Sequence, residues 1–156
     1  RGQTTIINAS LENATLNTNG YLLRIEGSRI KNSKFTTPNI INIFKTELTD
    51  SQVKTEGRHL HVEDIQIHGK VELDSHNDLT LFLSKTEFDR INLDISSKHG
   101  GIYRKAQREH PRQKENELAN PYKTEKADVK DLLIIKANQD IYLPKEEEYS
   151  APPRNH

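Results

Sequence analysis

The sequence predicts an all-β fold, a right-handed parallel β-solenoid (β-helix) of about five or six short coils carrying a polar insertion. Two observations predict it. Apolar residues recur in the same slots about every 19 residues, with small or hydroxyl residues in the slots between them. In addition, the phrase Asp78-Leu79-Thr80-Leu81 after a polar corner returns far downstream as Asp140-Ile141-Tyr142-Leu143.

Taken in order, the first turn reads Thr4, Ile6, Ala9, Leu11, Ala14, Leu16, Thr18. The second reads Leu23, Ile25, Ser28, Ile30, Ser33, Phe35, Thr37, and the third Ile41, Ile43, Thr46, Leu48, Ser51, Val53, Thr55. A fourth starts at Leu60, Val62, Ile65 and Ile67, is expected to lose one residue near Gly69, and resumes at Val71 and Leu73. The fifth reads Leu81, Leu83, Thr86, Phe88, Ile91, Leu93, Ile95, which predicts a strand through Thr86 and Phe88. An apolar-x-apolar pair is a short strand with one buried face, and the x-x between pairs is a corner. A helix would put apolar residues two apart on opposite sides. Small residues at the corner slots leave room for the neighbouring wall. An antiparallel sandwich also has short, regularly spaced strands, but it has no reason to keep residue types aligned between strand sets.

The apolar pattern divides the chain. Of its Leu, Ile, Val and Phe residues, 29 lie in 1–96, two in 97–128 and seven in 129–156. Residues 1–96 are therefore assigned to solenoid coils and 97–128 to a polar insertion loop. Residues 129–144 are a returning coil, and 145–156 an acidic, then Pro-rich, flexible tail. Part of Gln113–Ala119 can form a short exposed helix. If the insertion is an excursion between stacked coils, a short Gly/Ser linker in place of Lys98–Lys126 preserves the fold.

Net charge is +0, so bulk electrostatics recruits neither nucleic acid nor membrane. The chain contains no Cys, which excludes disulfides and thiolate metal sites and suits export. It also contains no Met, so the expectation is a processed or excised piece of something longer. No run reaches the length of a membrane span, and no signal peptide is in view.

The phrases "SHNDLTL" and "ANQDIYL" resemble the coil phrase of filamentous-haemagglutinin-like exoproteins, whose haemagglutinin repeats form a β-helix. "GSRIKNSKFTT" and "LTDSQVKTEG" resemble the other half of that coil. The likeness covers residues 4–95 and 131–143. The chain departs from the family in its low Gly and Ala content and its high charge. The resemblance implies a rod-like segment of a secreted bacterial surface protein delivered by two-partner secretion, acting as an adhesin or as the stalk of a contact-dependent toxin.

Candidate chemistry is sparse. His59 and His61 alternate with Leu60 and Val62, so both point outward, about 7 Å apart by strand rise. With His68 one corner on, and Glu63 or Asp64 to complete a site, they are the candidate metal ligands, set against plain solvated histidines. Asp74, Asp78, Asp89 and Asp94 are the acids that a lyase-like β-helix would use, but their spacing does not place them in one column. No phosphate loop, nucleophile elbow or paired-carboxylate motif appears. Asn8-Ala9-Ser10 and Asn13-Ala14-Thr15 match glycosylation sequons, a motif common by chance. The expectation is a non-catalytic structural or adhesive module, secreted or at the bacterial cell surface, without a cofactor. Its expected partners are a surface receptor or glycan on a host or neighbouring cell, with no nucleic acid and no membrane insertion. The alternatives are a polysaccharide-binding or polysaccharide-cleaving β-helix, such as a tailspike or lyase fragment, and a filament subunit that associates end to end.

Overall fold

Alternation along each strand fixes which side chains go inside. In the second turn Leu23, Ile25, Ile30 and Phe35 are at most 1% exposed, while their strand neighbours face solvent. The computed structural model describes residues 2–105 and 116–144. Each of the first four repeat copies gives three strands. These are β1 (Gln3–Ile7), β2 (Ser10–Glu12) and β3 (Thr15–Asn17); β4 (Leu22–Glu26), β5 (Arg29–Lys31) and β6 (Lys34–Thr37); β7 (Ile40–Phe44), β8 (Glu47–Thr49) and β9 (Gln52–Thr55); and β10 (His59–Glu63), β11 (Gln66–His68) and β12 (Lys70–Ser75). The fifth gives β13 (Asp78–Phe82), helix α1 (Lys85–Arg90) and β14 (Asn92–Ser97). Next come β15 (Ile102–Lys105), β16 (Glu117–Leu118), β17 (Tyr122–Thr124), β18 (Leu132–Ala137) and β19 (Ile141–Pro144). Like strands of successive copies pair in parallel, in register, and build three sheets: β1-β4-β7-β10-β13-β19-β15-β16, β2-β5-β8-β11 and β3-β6-β9-β12-β18-β14-β17. The fold is all-β and solenoid-like, with the core columns running through its middle.

The hydroxyl slots do more than leave room. At each corner the ladder of backbone bonds is broken, and a buried hydroxyl fills the gap. Ser28 Oγ accepts from the Ala9 N–H (3.1 Å) and donates to the Glu26 carbonyl (3.0 Å). Ser33 does the same for Ala14 and Lys31, Thr46 for Ser28 and Phe44, and Ser51 for Ser33 and Thr49. Each hydroxyl therefore satisfies one donor in the copy below and one acceptor in its own, which a buried backbone requires. The corners also need a left-handed residue. Asn8, Gly27, Lys45 and Asp64 supply it along one corner (φ 53, 61, 48 and 59°), and Asn13, Asn32, Asp50 and Gly69 along the next (φ 58, 49, 45 and 68°). Asn, Asp and Gly tolerate this region best, which accounts for most of these identities. Near Gly69 the fourth copy gains a residue rather than losing one. Ile67 pairs with Leu48, an offset of 19, but Leu73 pairs with Val53, an offset of 20.

Past β13 the chain departs from the simple stack. The strand expected through Thr86 and Phe88 is helix α1 instead. Ser84 caps it, accepting from the Glu87 N–H at 3.2 Å. Stepping over the helix, β14 lands one place too far along its sheet and leaves a gap. β18 fills that gap, pairing in parallel with β12 on one side and β14 on the other. β19 does the same between β13 and β15. The returning coil is thus wedged inside the stack, not laid on its end. The two phrases that match in sequence lie on adjacent levels: Asn138 N–H donates to the Ser75 carbonyl (3.1 Å) and Gln139 N–H to that of Asn77 (3.1 Å). The expected polar loop is also corrected. Within 97–128, β15 and β17 belong to the sheets, and β16 pairs antiparallel with β15, so Lys98–Lys126 is not a removable excursion. Glu117–Leu118 is strand, not helix. The rest of the expected short helix at Gln113–Glu115, and the tail 145–156, lie outside the described residues.

Helix α1 has a structural task. The middle sheet stops at β11, whose outer edge would otherwise leave buried backbone groups unpaired. Glu87, 7% exposed, accepts from the Ile67 N–H at 2.8 Å. Arg90 donates to the Ile67 carbonyl and binds both Glu87 and Asp131, and Asp131 accepts from the Gly69 N–H at 2.8 Å. Side chains here continue the ladder that a fifth middle strand would have supplied. Burial pushes the Asp131 carboxyl up, but the Gly69 N–H and the Arg90 guanidinium outweigh it and hold the group below the ordinary carboxylate range. A depressed folded value means that the stabilisation is complete above the unfolded pKa of about 3.9 and is lost as pH falls through the folded value. Asp131→Asn is therefore expected to lower stability by about 1–2 kcal/mol at pH 7 and to flatten the acid limb of stability against pH. Urea midpoints measured from pH 7 to pH 2 check this; an unchanged acid limb would place the acid sensitivity elsewhere.

Candidate functional site

The outer face of the eight-stranded sheet carries a continuous group of aromatic and charged side chains. Because Ile43, Val62 and Leu81 point inward, Phe44, His61, Glu63 and Phe82 point outward. Parallel in-register pairing then stacks them. Glu63 lies between Phe44 and Phe82, and His61 stands in the adjoining column between Asn42 and Thr80. The Arg24 guanidinium lies 5.1 Å from the Phe44 ring centre, and Glu26 holds it in place at 2.9 Å. The His61 ring lies 5.8 Å from Phe44, 5.5 Å from Phe82 and 6.3 Å from His59. Its Nε2 is 3.2 Å from Glu63 Oε1. Farther along the same face Tyr103 and Tyr142 stack at 6.1 Å, and the Tyr142 hydroxyl donates to Asp140. Burial, then the charges of Asp140 and Asp78, push the Tyr142 phenol well above its usual range, so it stays protonated. Burial, together with His61, holds the His59 imidazole below its ordinary value against a smaller upward pull from Asp78. His59 is thus a neutral ring at pH 7.

His59 and His61 are brought together as the alternation implied, but His68 is not with them. It sits on the middle sheet, where its Nε2 is 2.9 Å from Glu47 Oε2. Among the described residues no group of three or more His, Asp or Glu side chains is arranged to hold a metal ion. The candidate acids are also dispersed. Asp78 starts β13 beside His59, whereas Asp74 is on the third sheet near Lys54 and Lys136. Asp89 pairs with Lys85 on α1 (2.7 Å), and Asp94 faces Lys123 at 3.9 Å. The sequon residues Asn8 and Asn13 serve as left-handed corner residues. A groove of about 490 Å³ follows the second corner, lined by Asn13, Asn32, Lys34, Asp50, Lys70 and Glu72, with Asn32 donating to Asn13. Its polar groups follow from the corner geometry and repeat with it. Phe44 and Phe82 carry no motif in the sequence, but the same alternation that places the histidines outward also places them.

A family model described as Toastrack DUF4097 matches residues 1–144. The chain belongs to the Toastrack family. This overturns the haemagglutinin-repeat resemblance and, with it, the inference of two-partner secretion. The physical reason is that the shared phrase encodes a corner followed by a parallel strand. Any solenoid-like stack needs a small or hydroxyl residue, a tight polar turn and an apolar-x-apolar pair at that place. No curated protein and no solved structure matches this Toastrack chain.

Proposed function

We propose that this Toastrack chain is a non-catalytic, right-handed β-solenoid of five to six coils, whose eight-stranded sheet presents an adhesive face for surface carbohydrate. The observation that carries this reading is the Arg24–Phe44–His61–Phe82 group on a face held flat by in-register pairing. Sugar rings stack their C–H faces on aromatic rings, and the flanking Glu26, Glu63 and Asp78 supply hydrogen-bond acceptors for hydroxyls. The right hand is supported by the chirality of parallel β crossovers. A secreted or cell-surface location fits a cysteine-free, polar chain. The four acids that a lyase would need stand on different elements, which supports binding without cleavage.

Affinity electrophoresis against a panel of neutral and acidic polysaccharides tests the reading. Retardation by at least one polysaccharide is expected, and Phe44→Ala with Phe82→Ala should abolish it while the melting curve stays cooperative. Release of reducing or unsaturated ends would overturn the non-catalytic assignment. Unchanged retardation in the double variant would place binding on another face.

A further inference from the structure

On its inner side the eight-stranded sheet repeats one apolar environment at each level, but its outer side repeats every second level. The last two outward residues of β4 are Arg24 and Glu26, and those of β10 are His61 and Glu63. In both pairs the first side chain holds the carboxylate through Oε1, at 2.9 Å from Arg24 Nη2 and 3.2 Å from His61 Nε2. On β7 and β13 the same two positions hold Asn42 and Phe44, then Thr80 and Phe82. In-register pairing sets Glu26, Phe44, Glu63 and Phe82 in one column, so carboxylate and aromatic ring alternate along it. Successive levels are ~4.8 Å apart, which puts the two phenyl rings about 10 Å apart with a hydrogen-bond acceptor midway. The core does not call for this alternation, because the inward neighbours Ile25, Ile43, Val62 and Leu81 form one unbroken apolar column.

We propose that the carbohydrate taken by this face is a neutral, extended chain of equatorially 1,4-linked pyranoses lying along the column, one sugar to each level. This rests on the carbohydrate-binding reading and narrows it to one linkage geometry. In such a chain each ring is turned over relative to the last, so the chain also repeats every second unit, and its rise per ring is close to the spacing between strands. Alternate sugars then lay their C–H faces on Phe44 and Phe82. The sugars between them turn hydroxyls to Glu26 and Glu63, since a carboxylate has room for more hydrogen bonds than the one pairing each makes. Asn42, His61 and Thr80 in the adjoining column line one flank of the chain. An axially linked chain winds away from a flat sheet and cannot keep this register. Charge narrows the choice further. Among the described residues, the outward positions of β4, β7, β10 and β13 hold one guanidinium, Arg24, against the carboxylates of Glu26, Glu63 and Asp78. Uronate or sulfate groups would meet like charge there.

Calorimetric titration of the 156-residue chain with cello-, manno- and chito-oligosaccharides of two to six units should show binding of at least one series. Affinity should rise steeply from two units to four, as the second phenyl ring engages the same chain. Malto-oligosaccharides differ from the cello series only in anomeric configuration. These, and cello-oligosaccharides oxidised to carboxylates at their primary hydroxyls, should each bind at least about tenfold more weakly than the best neutral extended series. Phe82→Ala should cost a four-unit chain about tenfold and a two-unit chain much less, because Phe44 still serves the shorter one. The comparison between ligands on the unaltered chain does not depend on any variant folding. Malto or carboxylated chains that bind as tightly as every neutral extended series overturn the proposed ligand while leaving a carbohydrate-binding face. So do equal affinities for two and four units, or a Phe82→Ala loss that is the same for both. Binding of no series overturns both readings.

Discussion

Ile43→Asp is expected to abolish folding, while Lys45→Glu, two residues on, should change stability by less than about 0.5 kcal/mol. Ile43 is fully buried on β7, with Ile25 below and Val62 above it in the same column. An ionised carboxylate there has no partner. Burying an unpaired charge, or neutralising it by a large pKa shift, costs several kcal/mol. Losing the isoleucine contacts adds about 2–4 kcal/mol. Together these approach the whole stability of a domain this size, about 5–15 kcal/mol. The Lys45 side chain is exposed, and the position contributes mainly backbone: its N–H donates to the Glu63 carbonyl and its φ is 48°. Glu leaves both unchanged. Urea denaturation compares the two variants, and equal effects would show that the inward and outward assignment along β7 is wrong.

How far the sequence could be read depended on whether neighbouring levels repeat one environment. In the first three copies they do. Ile6, Ile25 and Ile43 fill one column, and Ser28 and Thr46 bridge the same corner, so slot matching located strands, corners and core together. The helix in the fifth copy had its own signal in Ser84-Lys85-Thr86-Glu87, a capping-box spacing. Thr86 and Phe88 also fit the repeat, so the period alone implies a strand there. What decides for the helix is long-range. Glu87 and Arg90 reach Ile67, and Arg90 reaches Asp131, contacts that no local pattern contains. The wedged position of β18 was illegible for a related reason. Leu133 and Ile135 state which face they line but not the level, because every level of one sheet demands the same alternation. The binding face lay in between: outward positions were readable from the pleat, but joining Arg24, Phe44, His61 and Phe82 into one group required the register.

Wedging makes the C-terminal coil central to stability, and two altered chains separate this from simple end docking. A chain ending at Lys126 is expected not to fold. It would lose Leu133, Ile135, Ile141 and Leu143, each at most 3% exposed. At about 1.5–3 kcal/mol per buried side chain this amounts to about 6–12 kcal/mol. It would also strand the facing backbone edges of β12 and β14, which β18 joins over six residues on each side. A chain with a protease site placed within 106–115, folded intact and then cut, should behave differently. Its second piece still holds β16 to β19, with β18 paired on both edges and β19 between β13 and β15. Release would require breaking both ladders and exposing the core at once. The pieces should therefore co-elute without denaturant and unfold in one transition. A coil resting only on the end of the stack would lose one ladder instead of two, and its removal would leave the remaining levels folded. Cooperative unfolding of the shortened chain, near the urea midpoint of the full one, would thus show that β12 and β14 can close on each other without β18.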